Sequence, residues 1–358
     1  MAGQCDRHSP EDLKCAGLLV DRLGLMFDWY QGMVDQRTGR LLYLYDPQSD
    51  LAIGDGEPIR DIAAVWDVEV LSAFLRRNDL SDLVRRSLAH FDQLVIGRGG
   101  YAIMAPAGES SSIAHSAFLI LALASSDLPD RVQRLTPLAD GILRQQRRDG
   151  SYKVFFDTAA DSGEELYPTE AMLALLEAHR LTRDSRYLDS VERGFGYYKR
   201  DYYDRGLVDP DVMVFFANWQ SQAGRQLIGA TSRPDVKNLV RGFLFELQDR
   251  IIQGGFYDRV ARRPEEQACV QVACGLEGLA DTYAIAVSSR DRRTAEYRRC
   301  IKTALGFLVR AQRTTDCSDR ERGGFGGSLM SRKQRIDVTG HVASGFIKSV
   351  ENRITEPT

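Results

Sequence analysis

The sequence predicts an all-α protein, in which six helical hairpins form an (α/α)6 toroid that the N-terminal helix closes. One observation is a recurring turn of glycine and an aromatic residue, at Gly99-Gly100-Tyr101, Gly150-Ser151-Tyr152, Gly254-Gly255-Phe256 and Gly323-Gly324-Phe325. Successive turns lie about 50 residues apart, with one interval doubled, and such a period indicates a repeat architecture. A second observation is that mostly apolar helical segments alternate with segments that carry a wide charged face. This alternation is expected of an inner ring of helices wrapped by an outer ring.

The individual elements follow from local periodicity. Apolar residues at helical spacing predict an N-terminal helix from Pro10 to Val34. Residues 41–47 are short and aromatic and end in Asp-Pro, which predicts a small strand or an extended loop. The inner helices of the six hairpins are predicted at 61–78, 110–126, 164–181, 210–228, 264–288 and 335–353. Their outer partners are predicted at 81–96, 130–147, 186–202, 234–252 and 292–312, and the N-terminal helix supplies the sixth partner.

Composition limits the partners and the compartment. The chain has 358 residues, of which 43% are hydrophobic, and each repeat needs its neighbours to cover its apolar face, so residues 1–358 are expected to form one domain. The net charge is −3 without a basic tract, so we expect neither nucleic acid nor a membrane surface as a partner. No secretory signal or apolar run of about 18 residues is evident, which predicts a cytoplasmic protein. The six cysteines have no common zinc spacing, so neither a metal nor another cofactor is expected, and the oligomeric state is left open.

The chemistry is expected at one end of the toroid. Inner helices run in the same direction, so their N-termini and the glycine-rich loops converge on one mouth. Polar groups on apolar inner helices are costly unless they meet each other, water or a ligand. The candidate catalytic residues are Asp67, His115, Glu170, Asp337 and His341. Structural roles remain open for each of them. Asp67 or Glu170 could belong to a buried ion pair, Asp337 could cap its helix, and either histidine could be a core residue whose hydrogen bonds are satisfied.

Charged and aromatic residues near the same helix starts are predicted to bind the substrate. They are Arg60, Asp61, Trp66, Tyr101, Tyr152, Glu165, Tyr167, Trp219, Gln222, Phe256, Phe325 and Arg335. The two arginines would suit an acidic sugar, and the aromatic rings are either packed wall or a stacking surface. Glu277 lies deeper in its helix and is interpreted as a structural partner for an inner arginine.

One stretch resembles a known superfamily. Tyr167-Pro168-Thr169-Glu170, the apolar run to Leu176, and the turn Leu181-Thr182-Arg183-Asp184-Ser185-Arg186-Tyr187-Leu188 resemble the repeat of six-hairpin glycosidase-like proteins. The likeness extends from about Tyr43 to Lys348 and implies a toroidal enzyme such as a sugar epimerase, a hydrolase or a uronate-active enzyme. It also implies inner-helix carboxylates or histidines at the mouth, where the five candidate catalytic residues are placed.

Terpenoid cyclases and protein prenyltransferases, which are also toroids, are a second resemblance. Their characteristic motifs have only poor counterparts here, Asp209-Pro210-Asp211 for an aspartate-rich motif and Cys274 with Asp281 and His341 for a zinc site.

We therefore expect an enzyme that acts on a carbohydrate or uronate-like substrate, either a small molecule or an oligosaccharide. It would be an epimerase, a hydrolase or a lyase that uses general acid–base catalysis. One alternative is a terpenoid-type or other natural-product cyclase with an aromatic-lined cavity. Another is a non-catalytic toroid that binds a glycan or a peptide. A wide polar groove would favour the sugar, whereas an apolar cavity with one buried carboxylate would favour the cyclase.

Overall fold

The computed structural model describes residues 16–54, 58–106, 108, 110–160 and 162–355. The α-helices are α1 (Ala16–Gly32), α2 (Pro58–Leu75), α3 (Ser81–Asp92), α4 (Ile113–Ser125), α5 (Arg131–Gln145), α6 (Tyr167–Thr182), α7 (Ser185–Tyr197), α8 (Met213–Ala230), α9 (Pro234–Gln253), α10 (Phe256–Arg262), α11 (Cys269–Ser288), α12 (Thr294–Ala311) and α13 (Ile336–Glu351). The short strands are β1 (Leu44–Asp46), β2 (Leu51–Ile53), β3 (Val95–Gly97), β4 (Ala102–Met104) and β5 (Gln334–Arg335).

The inner helices form a closed ring. In the order α2, α4, α6, α8, α11 and α13, each packs against the next, and α13 returns to pack against α2. The helices α1, α3, α5, α7, α9 and α12 lie outside this ring. This arrangement confirms the predicted (α/α)6 toroid.

Helix α1 takes the place of the sixth outer helix, as predicted, because it packs against both α2 and α13. Its Trp29 Nε1 donates a hydrogen bond to Gln334 Oε1 at 2.8 Å, and its Tyr30 hydroxyl donates to the Ile336 carbonyl at 3.2 Å. The predicted start of this helix at Pro10, and the ends of the predicted single domain over residues 1–358, lie outside the described residues.

Burial follows the predicted alternation of helices. Every residue of α4 from Ile113 to Ala124 is buried, whereas α5 buries only one stripe of its surface. Small residues also bring inner helices close together. A side chain at Gly278 on α11 would lie 2.7 Å from the Asn218 Cα atom on α8, so glycine permits this close packing.

Several element boundaries differ from the predictions. The predicted helix 81–96 ends at Asp92, because the chain enters the β3–β4 hairpin instead. The predicted helix 186–202 changes to a π-helix over Tyr198–Tyr203. The predicted helix 264–288 begins only at Cys269, since a short helix, α10, and a 3-10 turn precede it.

The two ends of the ring carry different connections. At the C-terminal ends of the inner helices, turns of two to five residues lead to the outer helices, for example residues 183–184 after α6 and 76–80 after α2. The N-terminal ends carry the longer connections and the strands. There β5 leads directly into α13 and pairs with β1, which also pairs with β2, all antiparallel. Nothing in the described part of the chain forms a helix that is long and apolar enough to cross a membrane.

Candidate active site

A histidine and a buried carboxylate from neighbouring inner helices lie at the centre of the candidate site. His341 Nδ1 on α13 donates a hydrogen bond to Glu277 Oε2 on α11 at 2.9 Å. Only 3% of the Glu277 side chain is exposed, compared with 21% of the His341 side chain. The carboxylate thus fixes the ring from the buried side, while part of the imidazole remains accessible from the interior of the toroid.

Further polar groups surround Glu277. Asn218 Nδ2 on α8 donates to Glu277 Oε2 at 2.9 Å, and Lys348 Nζ on α13 lies 3.4 Å from Oε1. Lys348 Nζ also donates to Gln222 Oε1 at 3.0 Å and to Asp281 Oδ2 at 2.7 Å. Every charge in this network therefore has a partner, as buried charges require.

The network sets the protonation of the central pair. Burial raises the pKa of Glu277, but the charges of Lys348 and His341 outweigh burial and lower that pKa to about 2. Burial lowers the pKa of His341, but contacts with Cys274 and Glu277 raise it well above its ordinary value. At neutral pH the pair is therefore a carboxylate and an imidazolium.

Asp67 on α2 is the second acid of the site. Its carboxylate lies against Gly340 of α13, where any side chain would collide with it. Burial raises the pKa of Asp67 to about 7, although the positive charge of His341 opposes the increase. No residue that the structure describes donates a hydrogen bond to this carboxylate. Asp67 is therefore poised to gain or lose a proton near neutral pH.

Glu170 on α6 is the third acid. It is 5% exposed, and its Oε2 atom has no hydrogen-bond partner among the described residues. Burial raises its pKa to about 8, against a smaller opposing effect from His341. This carboxyl group is therefore mostly protonated at neutral pH and can donate a proton.

Aromatic rings from three inner helices line up beside these acids. The ring centroids of Trp66 and Phe118 lie 6.3 Å apart, those of Phe118 and Trp219 lie 5.7 Å apart, and those of Trp219 and His341 lie 5.8 Å apart. The last two pairs have edge-to-face geometry, which holds each ring in a defined orientation. The imidazole is thus fixed by Trp219 as well as by Glu277.

A cavity of about 360 Å³ lies beside the network. Trp66, Leu173, Gln222, Ser344 and Lys348 are among its lining residues. Two of these contact Glu277, because Ser344 hydrogen-bonds to its carboxylate and Lys348 forms an ion pair with it. The cavity therefore reaches two residues that hold Glu277, which is the hydrogen-bond partner of His341.

The structure gathers some of the predicted site residues and separates others. Asp67, Glu170, Trp219, Gln222 and His341 meet in the interior, with Trp66 in the cavity wall. Asp337 acts electrostatically on Asp67 but also forms an ion pair with Arg335, whose Nε lies 2.9 Å from Oδ1. Asp337 therefore lies near the edge of the cluster that contains Asp67, Glu170 and His341.

His115 and Asp61 have structural contacts. The Ser112 backbone N–H donates to His115 Nδ1 at 3.2 Å, which closes a capping box at the start of α4. Asp61 is 1% exposed and accepts a hydrogen bond from Arg40 Nε at 3.0 Å. His115 is thus a buried, hydrogen-bonded histidine, which is the structural alternative left open for it, whereas Asp61 forms an ion pair with Arg40.

The aromatic residues of the glycine turns pack into the wall. Tyr152 and Phe325 are fully buried and Phe256 is 6% exposed, so these three rings have no open face for a ligand. The hydroxyl group of Tyr152 lies 2.7 Å from Ser190 Oγ on the outer helix α7. Tyr101 is half-buried beneath the Arg144 guanidinium group.

The remaining predicted residues lie near the N-terminal ends of the inner helices. The guanidinium groups of Arg60 and Arg335 both lie over the Tyr43 ring, at 4.9 and 5.3 Å from its centroid. Half-buried Glu165 contributes to the raised pKa of Tyr202, and half-buried Tyr167 begins α6. None of these contacts reaches Glu277 directly.

The predicted site residues did not include four members of the network, Asn218, Asp281, Ser344 and Lys348, and Glu277 was misinterpreted. Lys348 and Ser344 lie seven and three residues after His341, a spacing that places all three on one face of α13. Helical spacing from His341 was thus the signal that could have identified them. Glu277 does have a cationic partner, but that partner is a lysine together with His341 rather than an arginine.

No group of three or more His, Cys, Asp or Glu residues within the described ranges is arranged to hold a metal ion. Cys274 hydrogen-bonds to His341, but burial raises the pKa of its thiol. This chemistry makes the cysteine a neutral neighbour of the imidazole rather than a ready thiolate ligand.

Comparison of the whole fold finds sugar-active toroids. The chain is similar to a D-mannose isomerase (TM-score 0.68, 11% identity, covering 94% of this chain and 98% of that one). It is similar to cellobiose 2-epimerase from Bacillus thermoamylovorans B4167 (TM-score 0.68, 10% identity, 94% and 98% covered). It is also similar to the unsaturated glucuronyl hydrolase of Bacillus sp. GL1 (TM-score 0.66, 13% identity, 93% and 97% covered). No protein-family model and no curated protein sequence matches the chain. At these identities the likeness establishes the six-hairpin fold.

Proposed function

We propose that this protein is an enzyme that acts on a carbohydrate by general acid–base catalysis inside the toroid. The observation that carries the proposal is the 2.9 Å hydrogen bond from His341 to Glu277, within electrostatic range of a second acid, Asp67, that titrates near neutral pH. An oriented imidazole beside a poised carboxyl group is an arrangement suited to proton transfer.

The protonation states support isomerisation or epimerisation of a sugar. Asp67, in its ionised form, would take the proton from the carbon next to the carbonyl group of an open-chain sugar. His341, as an imidazolium, would donate a proton to the carbonyl oxygen, and the product would be an enediol. Return of a proton to either carbon, or to the other face of the same carbon, then gives an isomer or an epimer. Glu277 would hold the imidazole ring in its orientation throughout and would favour its return to the imidazolium form when the enediol gives the proton back.

The lining and the structural neighbours support this substrate class. The interior combines carboxylates, an amide, a lysine and an imidazole with tryptophan, whereas a cyclase needs a largely apolar wall. Two of the similar structures are a sugar isomerase and a sugar epimerase.

Hydrolysis of a glycoside is the second candidate, because Glu170 is an acid with a pKa of about 8 and an unsatisfied Oε2 atom. Such a carboxyl group could protonate the oxygen of a leaving group. Release of a second sugar from the substrate would identify this reaction and exclude simple isomerisation.

The test is to incubate the protein in D2O with aldoses, ketoses, disaccharides and unsaturated uronides, and to follow the products by proton NMR. We expect a new sugar, with deuterium on the carbon next to the carbonyl group. Asp67→Asn and His341→Asn should each lower the rate by about 10²–10⁴-fold. The matched controls are Asp211→Asn, at an exposed carboxylate, and His179→Asn, at a histidine that binds the Asp184 carbonyl.

Full activity in both folded active-site variants would remove these residues from the chemistry. A well-folded wild-type protein that converts no member of the panel and exchanges no carbon-bound proton would overturn the proposal.

A further inference from the structure

We propose that Asp281 and Arg225 are positioning residues of the candidate site, which act through Lys348 to set how strongly Glu277 holds His341. Within the described residues their side-chain hydrogen bonds are to each other and to Lys348, so neither is a hydrogen-bond partner of the imidazole. This inference rests on the proposed function, in which His341 donates a proton.

Helical spacing brings these charges into one row. Glu277 and Asp281 are four residues apart on α11, which places both carboxylates on one face of that helix. His341 and Lys348 are seven residues apart on α13 and likewise share a face. Because α11 and α13 pack against each other, the acids of one helix meet the cations of the other. Arg225 on α8 adds a further cation at the end of the row.

Each carboxylate in the row uses its two oxygens for different cations. Asp281 accepts a hydrogen bond from Arg225 Nη1 at 2.8 Å through Oδ1, and one from Lys348 Nζ at 2.7 Å through Oδ2. The Oε1 atom of Glu277 lies 3.4 Å from Lys348 Nζ, and its Oε2 atom accepts from His341 Nδ1 at 2.9 Å. The charges therefore alternate from the guanidinium to the imidazolium, and a change at one end alters the next contact along the row.

Lys348 is shared unequally between the two acids. Its Nζ atom lies 2.7 Å from Asp281 but 3.4 Å from Glu277, and its third contact is with Gln222 Oε1 at 3.0 Å. An ammonium group has only three donors, so Asp281 competes with Glu277 for the same cation. Since the attraction between charges weakens with distance, the closer acid holds Lys348 away from Glu277. Glu277 consequently keeps more of its negative potential for His341.

The positions of these charges matter more than their sum. Beyond His341 the row contains two carboxylates and two cations, so its net charge is zero. The side chains of Glu277 and Asp281 are only 3% and 4% exposed, so salt and water screen them weakly. Arg225 is 36% exposed, so the row has one end at which a charge can be changed near solvent.

Other titratable and charged groups surround His341 and its neighbours. They are Tyr30 on α1, Asp67 on α2, Glu170 on α6, Cys274 on α11, Arg335 on β5 and Asp337 on α13. All of them stay unchanged in the variants of the row, so a change in the His341 titration can be assigned to the row itself.

Removing charge at the two distal positions should move the His341 pKa in opposite directions. Asp281→Asn releases Lys348 toward Glu277, and we expect the His341 pKa to fall by about 0.5–1. Arg225→Met leaves Asp281 to attract Lys348 alone, so the His341 pKa should rise by about the same amount. Arg225→Lys keeps the positive charge and should restore a value close to that of the wild type.

NMR of the imidazole protons measures these pKa values in the full-length protein without substrate. The high-pH limb of the kcat/KM profile should move in the same direction in each variant. The matched controls are Asp249→Asn and Arg293→Met, which break an ion pair of the same 2.8 Å length away from the inner ring. Both controls should leave the His341 titration unchanged, and circular dichroism would verify that each variant is folded.

A double variant separates action through Lys348 from a direct field. If Arg225 acts only by compensating Asp281, adding Arg225→Met to Asp281→Asn should cause no further shift of the His341 pKa. Additive shifts would overturn the route through Lys348. If Asp281→Asn does not fold, the contrast between Arg225→Met and Arg225→Lys decides the question alone.

The remaining outcomes distinguish this inference from the proposed function. Folded variants whose His341 pKa is unchanged, or moves in the same direction in Asp281→Asn and Arg225→Met, would overturn the positioning role and leave the proposed function intact. Opposite shifts in a protein that converts no sugar would support the action of the row on His341 and overturn the proposed function.

Discussion

The hydrogen bond between Glu277 and His341 joins residues that are 64 positions apart and lie on two neighbouring inner helices. Neither helix could place the pair alone, because Glu277 is held from α8 by Asn218 and from α13 by Lys348. The geometry of the candidate site and the packing of the ring therefore depend on the same contacts.

Replacing the charge of Glu277 should change the titration of His341. In Glu277→Gln the amide keeps a polar partner for Nδ1 but removes the carboxylate that helps to raise the imidazole pKa. We expect the His341 pKa to fall, and the high-pH limb of the kcat/KM profile to move to lower pH with it. NMR of the imidazole protons measures the first effect and steady-state kinetics the second. Glu177→Gln, which removes an ion pair with the exposed Arg180, should leave both the His341 pKa and the pH profile unchanged.

Removing Lys348 should destabilise the protein most strongly above about pH 4.5. Glu277 has a pKa of about 2 when folded, so its favourable contribution is present above its ordinary pKa and is lost as the pH falls through the folded value. Lys348→Met leaves this carboxylate without its lysine, at a cost of about 3–5 kcal/mol in the free energy of unfolding. Denaturation with urea at pH 7 and at pH 3 measures the difference. Lys333→Met removes the exposed lysine of an ion pair with Asp46 and should leave the free energy of unfolding nearly unchanged.

Glu170→Gln should stabilise the protein at alkaline pH. The folded pKa of Glu170 is about 8, so its proton stabilises the fold at low pH, and that contribution is lost as the pH rises from the ordinary value through about 8. A glutamine avoids the ionisation, and one pKa unit corresponds to about 1.4 kcal/mol. We expect a gain of a few kcal/mol at pH 9 and no gain at pH 4, measured by chemical denaturation. An equal gain at both pH values would contradict this origin, and Glu246→Gln at an exposed glutamate is the control.

A single methyl group at position 340 should disturb both stability and activity. In Gly340→Ala the new Cβ atom meets the Asp67 carboxylate, so α2 and α13 must separate or Asp67 must move. Overpacking of this kind costs about 1–3 kcal/mol. Gly229→Ala introduces the same methyl group into α8 without any neighbour within 4 Å, and should be neutral or stabilising by up to about 1 kcal/mol. Melting temperatures and the rate at pH 7 of the two variants provide the comparison.

The repeat in the sequence predicts the architecture well, because the physical signals are local. Apolar runs such as Ile113–Ala124 identify an inner helix without knowledge of its neighbours. The exceptions arise where tertiary contacts decide. Val95 and Ile96 continue the apolar spacing of the preceding helix, yet residues 95–97 pair with residues 102–104 as a hairpin, as their β-branched side chains favour.

The arrangement of side chains within the site is less predictable from the sequence, because it depends on how each inner helix is turned about its own axis. The sequence identifies Asp67, Glu170 and His341 as unusual polar residues in apolar helices, and the structure brings them together. It cannot distinguish His341 from His115, whose ring nitrogen caps its own helix through Ser112. The sequence also does not reveal that Lys348 forms ion pairs with both Glu277 and Asp281, because these contacts depend on how α11 and α13 are oriented relative to each other.

The contact of α13 with α2 also determines when during synthesis the candidate site can form. The ribosome delivers the inner helices one after another, and the arc from α2 to α11 has an uncovered apolar edge at each end. Both edges are covered only after Ile336–Glu351 has left the ribosome and packed between them. The same segment places His341 and Lys348 in contact with Glu277. Closure of the ring and assembly of the candidate proton-transfer groups therefore occur together, and a chain that ends before α13 has neither.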